Sequence, residues 1–237
     1  MKIPRRKKIN KYKLKLPECV IMAGGLGTRL GSLTKKTPKP IININRKPFL
    51  FYILDKLISE GFEKFLFLLS YKNKKIINKL DYYNSKNLYL FDYYIDKRQK
   101  QGTSKSLYDI KDELSTNFFY TNADELPNFS IKYFYKKHLL KKSLVSFILF
   151  KNDKEGYISK KNQKIYKSQK KDKTKFIECG FKFMNKNIFK KNKFDKKKLE
   201  HNLIKNNILK KSNYLLIHKL PYRIDSQKDI SYAKKFI

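Results

Sequence analysis

The sequence predicts a three-layer α/β/α fold with a mainly parallel sheet, and three observations carry that prediction. Short apolar runs alternate with amphipathic segments of helical spacing through the first half of the chain. A Gly-rich loop follows the first apolar run directly. The 237 residues, 41% hydrophobic and 15% aromatic, suffice to bury a sizeable core in one large domain or two small ones.

Residues 1–17 form a basic N-terminal extension, and the main domain spans 18–237. The extension lacks the uninterrupted apolar stretch of a signal peptide. Residues 18–23 read as a buried strand delivering the glycine loop 24–31. A helix begins near Pro48, because Phe49, Leu50, Ile53, Leu54, Leu57 and Ile58 recur on one helical face, and Gly61 ends it. Residues 64–70 form the next strand, 74–80 a lysine-rich helix, 88–93 a strand, 103–114 a helix and 117–121 a strand. Strand, helix, strand in this rhythm means parallel strands covered on both faces, with a ligand cleft at their carboxyl ends. Beyond these come a helix at 131–139, a strand at 144–150, a hairpin at 157–166, a polar surface loop at 167–175 and a strand at 176–184. An amphipathic helix at 196–208, strands at 214–217 and 222–224, and a closing helix at 226–236 complete the chain.

The formal net charge of +37 points toward nucleic acid, an anionic membrane or a phosphorylated substrate. Lysine supplies nearly all of it, with arginine only at Arg5, Arg6, Arg29, Arg46, Arg98 and Arg223. The accompanying wealth of Asn, Ile, Tyr and Phe shares A/T-rich codons with lysine. We therefore read the charge as compositional drift on solvated faces, whereas selected phosphate readers favour the arginine fork. No nucleic-acid partner is expected. Cys19 and Cys179 have no metal spacing and read as reduced, buried residues. His138, His201 and His218 lack partners at useful spacing and read as surface or helix-end residues. No apolar run approaches a membrane span, so no membrane partner and a cytoplasmic location are expected.

The chemistry concentrates in AGGLGTRL, residues 23–30, and TPKP, residues 37–40. Glycines directly after a buried strand let backbone N–H groups approach a phosphate chain. The spacing matches neither a Walker loop nor GxGxxG. Arg29 can fork onto phosphate oxygens, and Lys39, held between two prolines, offers a point charge of restricted position.

GGLGTRL with a downstream PKP resembles the signature of the sugar-1-phosphate nucleotidyltransferases, and the run from Ala23 to Lys72 is most similar to the heptose- and mannose-1-phosphate guanylyltransferase branch. Later landmarks follow in that family's order. Gln101, Gly102 and Thr103 resemble its LGT segment beside the nucleobase. Asn122, Ala123 and Asp124 resemble NGD, whose aspartate binds magnesium. Cys179, Gly180 and Phe181 resemble the sugar-binding GIY segment. Ile224 and Asp225, with Tyr232 seven residues after Asp225, resemble the closing IDIGTPEDY motif and its second metal ligand.

The resemblance implies a Rossmann-like nucleotidyltransferase fold and a magnesium-dependent reaction joining a nucleoside triphosphate, GTP favoured, to a heptose or hexose 1-phosphate. Pyrophosphate would leave, and the nucleotide sugar would serve surface polysaccharide synthesis. It implies Ala23, Gly24, Gly25, Gly27, Thr28, Gln101, Gly102 and Thr103 on the nucleotide, and Asp124 and Asp225 on the metal. Arg29 and Lys39 would be catalytic, with Glu178, Gly180 and Lys171 at the sugar phosphate. A homodimer is left open. The chain departs from the family pattern at Lys105, Ala123 and Gln227, where glycines are usual, and at Glu178, where the closest branch often has Asn. Cytidylyl, uridylyl or thymidylyl transfer, a phosphocholine acceptor, a non-catalytic nucleotide-binding role and a nucleic-acid-binding role remain as alternatives.

Overall fold

The structure is a computed structural model and describes residues 14–85, 89–97, 102–152, 154, 158–161, 164–167, 175–190, 194–195, 199–206 and 208–237. In chain order the elements are β1 (Glu18–Met22), α1 (Ser32–Lys36), β2 (Asn43–Ile44), β3 (Lys47–Pro48), α2 (Phe49–Glu60), β4 (Lys64–Leu69), α3 (Asn73–Asn84), β5 (Leu90–Ile95), α4 (Thr103–Asp109) and β6 (Asn117–Asn122). They continue with β7 (Glu125–Leu126), α5 (Ile131–Leu140), β8 (Val145–Lys151), β9 (Ile158–Lys161), β10 (Lys164–Lys167), β11 (Phe176–Asn185), α6 (Leu199–Lys205), β12 (Ser212–Ile217), β13 (Tyr222–Arg223) and α7 (Gln227–Phe236).

The parallel part of the sheet runs β6-β1-β4-β5, and β11 joins it antiparallel to β6. β8 pairs antiparallel with β11 and parallel with β12, while the β9–β10 hairpin attaches at the start of β11. Side chains alternate between two cores, as the pleat requires. Cys19, Ile21, Phe65, Phe67, Phe119 and Phe183 pack with α2, α3, α5 and α7 on one face. Val20, Leu66, Leu68, Phe118 and Tyr120 pack with α4 and α6 on the other. The sheet is thus the middle of three layers, as the alternating pattern predicted. Leu16, just before β1, is also buried in the first core.

α2 shows how locally this architecture is written. Phe49, Leu50, Ile53, Leu54 and Leu57 are each completely buried, and each contributes about 1.5–3 kcal/mol on leaving water. Gly61, with φ at 102°, ends the helix by donating its N–H back to Ile58 and Leu57.

Several expected boundaries shift. α4 stops at Asp109 rather than at residue 114, although Leu107, Ile110 and Leu114 stay buried at helical spacing through the turns that follow. β5 lies two residues later than expected, set by the pairing of Lys64 with Leu90. The helix expected at 196–208 is Leu199–Lys205, followed by a 3-10 turn over Ile208–Lys211. The loop at 167–175 lies almost wholly outside the described residues.

His138 lies in the last turn of α5, as the helix-end reading has it, but the surface reading needs correction, because the residue is buried. It falls on the inward stripe of α5 with Ile131, Phe134 and Tyr135, and its ring lies near those of Tyr135 and Phe183. Its Nδ1 is 2.9 Å from Ser146 Oγ and its Nε2 is 3.4 Å from Asn117 Oδ1. An amide oxygen only accepts, so Nε2 carries the proton and Nδ1 accepts from the Ser146 hydroxyl. His201 and His218 are exposed, and Cys19 and Cys179 are buried thiols, as expected. No helix among the described residues is long and apolar enough to cross a membrane.

Candidate nucleotide and metal site

Because β1, β4, β5 and β6 are parallel, their carboxyl ends share one edge of the sheet, and a cavity of about 390 Å³ runs along it. Each strand end contributes. Ala23, Gly24, Gly25 and Leu26 follow β1; Ser70 and Tyr71 follow β4; Asp96 follows β5, opposite Gly102, Thr103 and Ser106 at the start of α4; Asn122 ends β6, and Ala123 and Asp124 follow it. Lys39 and Pro40 close the same side as Asp124.

The glycine loop is shaped by conformation as well as by access. Gly27 has φ at 65°, and a Cβ there would stand 2.8 Å from Thr34 Cγ2 and 3.1 Å from Lys39 Cβ. Thr34 in α1 donates its hydroxyl to the Gly27 carbonyl at 3.0 Å. Gly27 therefore sets the course of the loop and lets the Lys39 segment pack against it, while Gly24 and Gly25 face the cavity.

Two distant segments then meet. β7 pairs antiparallel with β13, and Ile224 N–H donates to the Asp124 carbonyl at 3.2 Å, so the turn after β6 and the turn before α7 are brought together. Asp225 is held there by the cap of α7: its N–H and that of Ser226 donate to the Asp229 carboxylate at 3.0 and 2.8 Å, and Asp229 N–H donates back to Ser226 Oγ. Lys39 sits between the two carboxylates, donating to Asp124 Oδ2 at 2.6 Å and to Asp225 Oδ1. Arg29 Nη1 donates to Asp225 Oδ2 at 2.9 Å from an otherwise exposed position.

The charges answer one another. Burial alone would raise the Asp225 carboxyl, but the Lys39 hydrogen bond and charge, with Arg29 and Arg223, hold it below the usual carboxylate range. Burial alone would lower the Lys39 ammonium, and the two aspartates more than offset it, leaving it above the ordinary lysine value.

Beside Asp124, β11 brings a second group of charges to the same edge. Its pairing with β8 shifts register between Glu178 and Lys182, and Gly180 lies inside that bulge with φ at 30°. A Cβ on Gly180 would stand 2.6 Å from Glu125 Oε2 and 2.9 Å from Asn122 Nδ2, so only glycine lets the Glu125 carboxyl occupy this place. Lys182 and Glu178 form a fully buried ion pair at 2.9 Å, with the ammonium 5.2 Å from the Tyr120 ring centre. Burial first, then the charges of Asp124 and Glu178, push the Glu125 carboxyl up to about 8 against the opposing pull of Lys182 and Arg223.

Of the residues singled out from sequence, Ala23, Gly24, Gly25, Gly102, Thr103, Lys39 and Asp124 line the cavity, and Asp225 and Arg29 join it through the ion pairs. Gly27 supports the loop from behind, and Thr28 opens the short 3-10 turn that carries Arg29. Glu178 and Gly180 lie on β11 beside Asn122 and Glu125. Gln101 and Lys171 lie outside the described residues. Lys105, which could have reached a phosphate, is turned to Asp109 one helical turn on and is absent from the cavity wall. Ala123 fits within the core, its N–H donating to the Met22 carbonyl. Sequence reasoning missed Ser70, Asp96, Ser106, Asn122 as a lining residue and Glu125. The first two end parallel strands, so the carboxyl-edge rule itself was the available signal.

The donor set suits a hard divalent cation. Asp124 Oδ1 is buried without a hydrogen-bond partner among the described residues, and the Lys39 ammonium already marks a cation position between two carboxylates. No group of three or more His, Cys, Asp or Glu gathers among the described residues. Two carboxylates completed by phosphate oxygens and water is the usual arrangement for magnesium, which seldom takes an all-protein cage.

Known proteins resemble this chain in the same terms. D-glycero-alpha-D-manno-heptose 1-phosphate guanylyltransferase of Campylobacter jejuni is 44% identical over 59 residues, which is 25% of this chain and 27% of that protein. Choline-phosphate cytidylyltransferase of Streptococcus pneumoniae is 30% identical over 129 residues, 54% of this chain and 52% of that protein. These matches span only about a quarter to a half of the relatives' length. The fold is that of HddC from Yersinia pseudotuberculosis in complex with GMP-PN, with a TM-score of 0.78 at 22% identity over 93% of this chain and 99% of that one. The profile described as Nucleotidyl transferase matches residues 18–213, and the chain belongs to that family.

Proposed function

We propose that this protein transfers a nucleoside monophosphate from GTP to a sugar 1-phosphate and releases pyrophosphate. The observation that carries the reading is the single cavity edge on which a glycine loop with Arg29, Lys39 and two aspartates converge, with contacts joining residues up to 196 apart in the chain. The triphosphate lies over the loop after β1, with the base toward β5 and the acceptor toward β6 and β11. Lys39 moves its ammonium onto the α-phosphate as charge builds there, and Arg29 steadies the leaving pyrophosphate. Asp124 and Asp225 would hold magnesium, which would supply charge neutralisation at the phosphates when bound. No covalent enzyme intermediate is needed, since positioning and charge account for the catalysis.

Asp96 supports guanine as the base. It is 6% exposed, lines the β5 end of the cavity and accepts the Ser106 hydroxyl at 2.9 Å. A carboxylate is complementary to the adjacent N1–H and N2–H donors of guanine, and repels the carbonyl oxygens that flank the single ring N–H of uracil or thymine. The test is a pyrophosphate-release screen crossing four nucleoside triphosphates with a panel of sugar 1-phosphates. GTP should be used at least about tenfold better than the other triphosphates, and Asp96→Asn should erode that margin. Equal use of all four by the wild type would overturn the assignment of the base, and no release with any pair would overturn the reaction.

A further inference from the structure

The β5 end of the cavity is walled by Gly102, Thr103 and Ser106, all at the start of α4. With seven residues, α4 is too short to persist as an isolated helix and takes its position from what it packs against. Leu107 anchors it in the core, but apolar contacts are non-directional and only weakly oppose rotation or sliding of so short a helix.

Two serines fix it from opposite sides. On the cavity side, Ser106 donates its hydroxyl to Asp96 at 2.9 Å. Ser104 lies two residues earlier, about 200° round the helix, and is completely buried away from the cavity wall. Its Oγ accepts from Asn202 Nδ2 at 3.0 Å, a bond to α6 across 98 residues of chain. Asn202 is itself completely buried, and both ends of its amide are engaged: Nδ2 also donates to Asp195 Oδ1 at 3.0 Å, and Oδ1 accepts the Asp195 N–H at 3.2 Å. Beside Asp195, the Phe194 ring stacks on that of Tyr108 in α4, with centres 6.1 Å apart. The segment leading into α6 therefore holds the outer side of α4 while Asp96 holds the inner.

We propose that Asn202 is a positioning residue for the nucleotide: acting through Ser104, it sets the rotation and height of α4 so that Gly102, Thr103 and Ser106 meet the base. This rests on the nucleotide placement proposed above. Two polar side chains in a place water does not reach are costly unless they are matched, and an apolar pair would fill the same space. What the matched pair adds is direction, since a satisfied buried network admits one arrangement where apolar packing admits several.

The experiment measures equilibrium binding of GTP, ATP, CTP and UTP, then pyrophosphate release with the tightest binder and a panel of sugar 1-phosphates. It uses the wild type, Asn202→Ala, Ser104→Ala, the double variant, and Ser146→Ala as a control. Ser146 is equally buried and hydrogen-bonded, to His138, but does not touch α4 or the cavity. Asn202→Ala and Ser104→Ala should each weaken the Kd of the tightest triphosphate by about tenfold, the scale of one directional bond between buried partners. The double variant should stay within about twofold of the weaker single one, because both changes remove the same bond. KM for the triphosphate should rise in proportion, with kcat and the KM of the sugar phosphate within about twofold of wild type. Ser146→Ala should lower the unfolding temperature and leave the Kd unchanged. If Asn202→Ala does not fold, Ser104→Ala, with its small helix-favouring side chain, carries the test. An unchanged Kd in Ser104→Ala, losses that add in the double variant, or an equal loss in Ser146→Ala overturns the inference. Triphosphate binding without pyrophosphate release overturns the transfer reading and leaves the binding comparison to decide this one. No binding of any triphosphate overturns both.

Discussion

His138 makes the fold sensitive to acid in a way that can be worked out beforehand. Burial lowers its pKa from 6.5 to about 4, and the ring is held neutral between Ser146 and Asn117. The folded value lies below the unfolded one, so the unfolded chain takes up the proton first as the pH falls. Above pH 6.5 the group costs nothing, and below it stability falls by about 1.4 kcal/mol per pH unit until the folded value is reached. Linkage over that window gives a loss of about 2 kcal/mol between pH 7 and pH 5, and about 3 kcal/mol at pH 4. The perturbation is His138→Gln, which cannot titrate, and the assay is urea unfolding of both proteins at pH 7, 6 and 5. Whatever the glutamine costs in packing is the same at each pH, so the wild type's advantage over the variant should shrink by about 2 kcal/mol from pH 7 to pH 5. Parallel profiles would show that the ring is protonated in the fold or reached by water, and the reasoning would fail.

Two further outcomes test the site and its boundary. Asp124→Asn and Asp225→Asn should each keep the fold but lower turnover by about two orders of magnitude or more, with only partial rescue by excess magnesium; near-normal rates with an unchanged magnesium optimum would remove the two-aspartate centre. Deleting residues 1–15 should leave a cooperative thermal transition, because the deletion stops short of Leu16, which is buried in the core, and of β1; loss of that transition would place the domain boundary earlier.

The parts of this molecule that were legible in the sequence are those written over a few residues. The strand Glu18–Met22, the glycine loop after it and the helix Phe49–Glu60 follow from apolar spacing, a glycine run and a glycine stop, each a local property, whereas the short α1, β2 and β3 between them were not read. Asp96 was not legible, because an isolated aspartate after a strand reads as a turn residue until Ser106 is seen to face it from the next helix. His138 was misjudged because it was read as a polar residue rather than by its place on the stripe of Ile131, Phe134 and Tyr135. Glu125 and Gly180 acquire meaning only together, through a bulge in β11 that places one against the other from 55 residues away along the chain.

The aspartate pair depends on the same kind of non-local arrangement, and Lys39 is what makes it tenable. Asp124 and Asp225 stand on segments joined by the short β7–β13 pairing, which offers little backbone bonding to resist repulsion between two carboxylates. One ammonium donating to both, fixed on a tight turn between Pro38 and Pro40, holds them together before any ligand arrives. With Arg29 on Asp225, the two negative charges meet two positive ones, and the centre is balanced. In the proposed reaction Asp124 and Asp225 would hold the divalent cation, and the lysine that joins these two carboxylates is the same residue proposed to act on the phosphates.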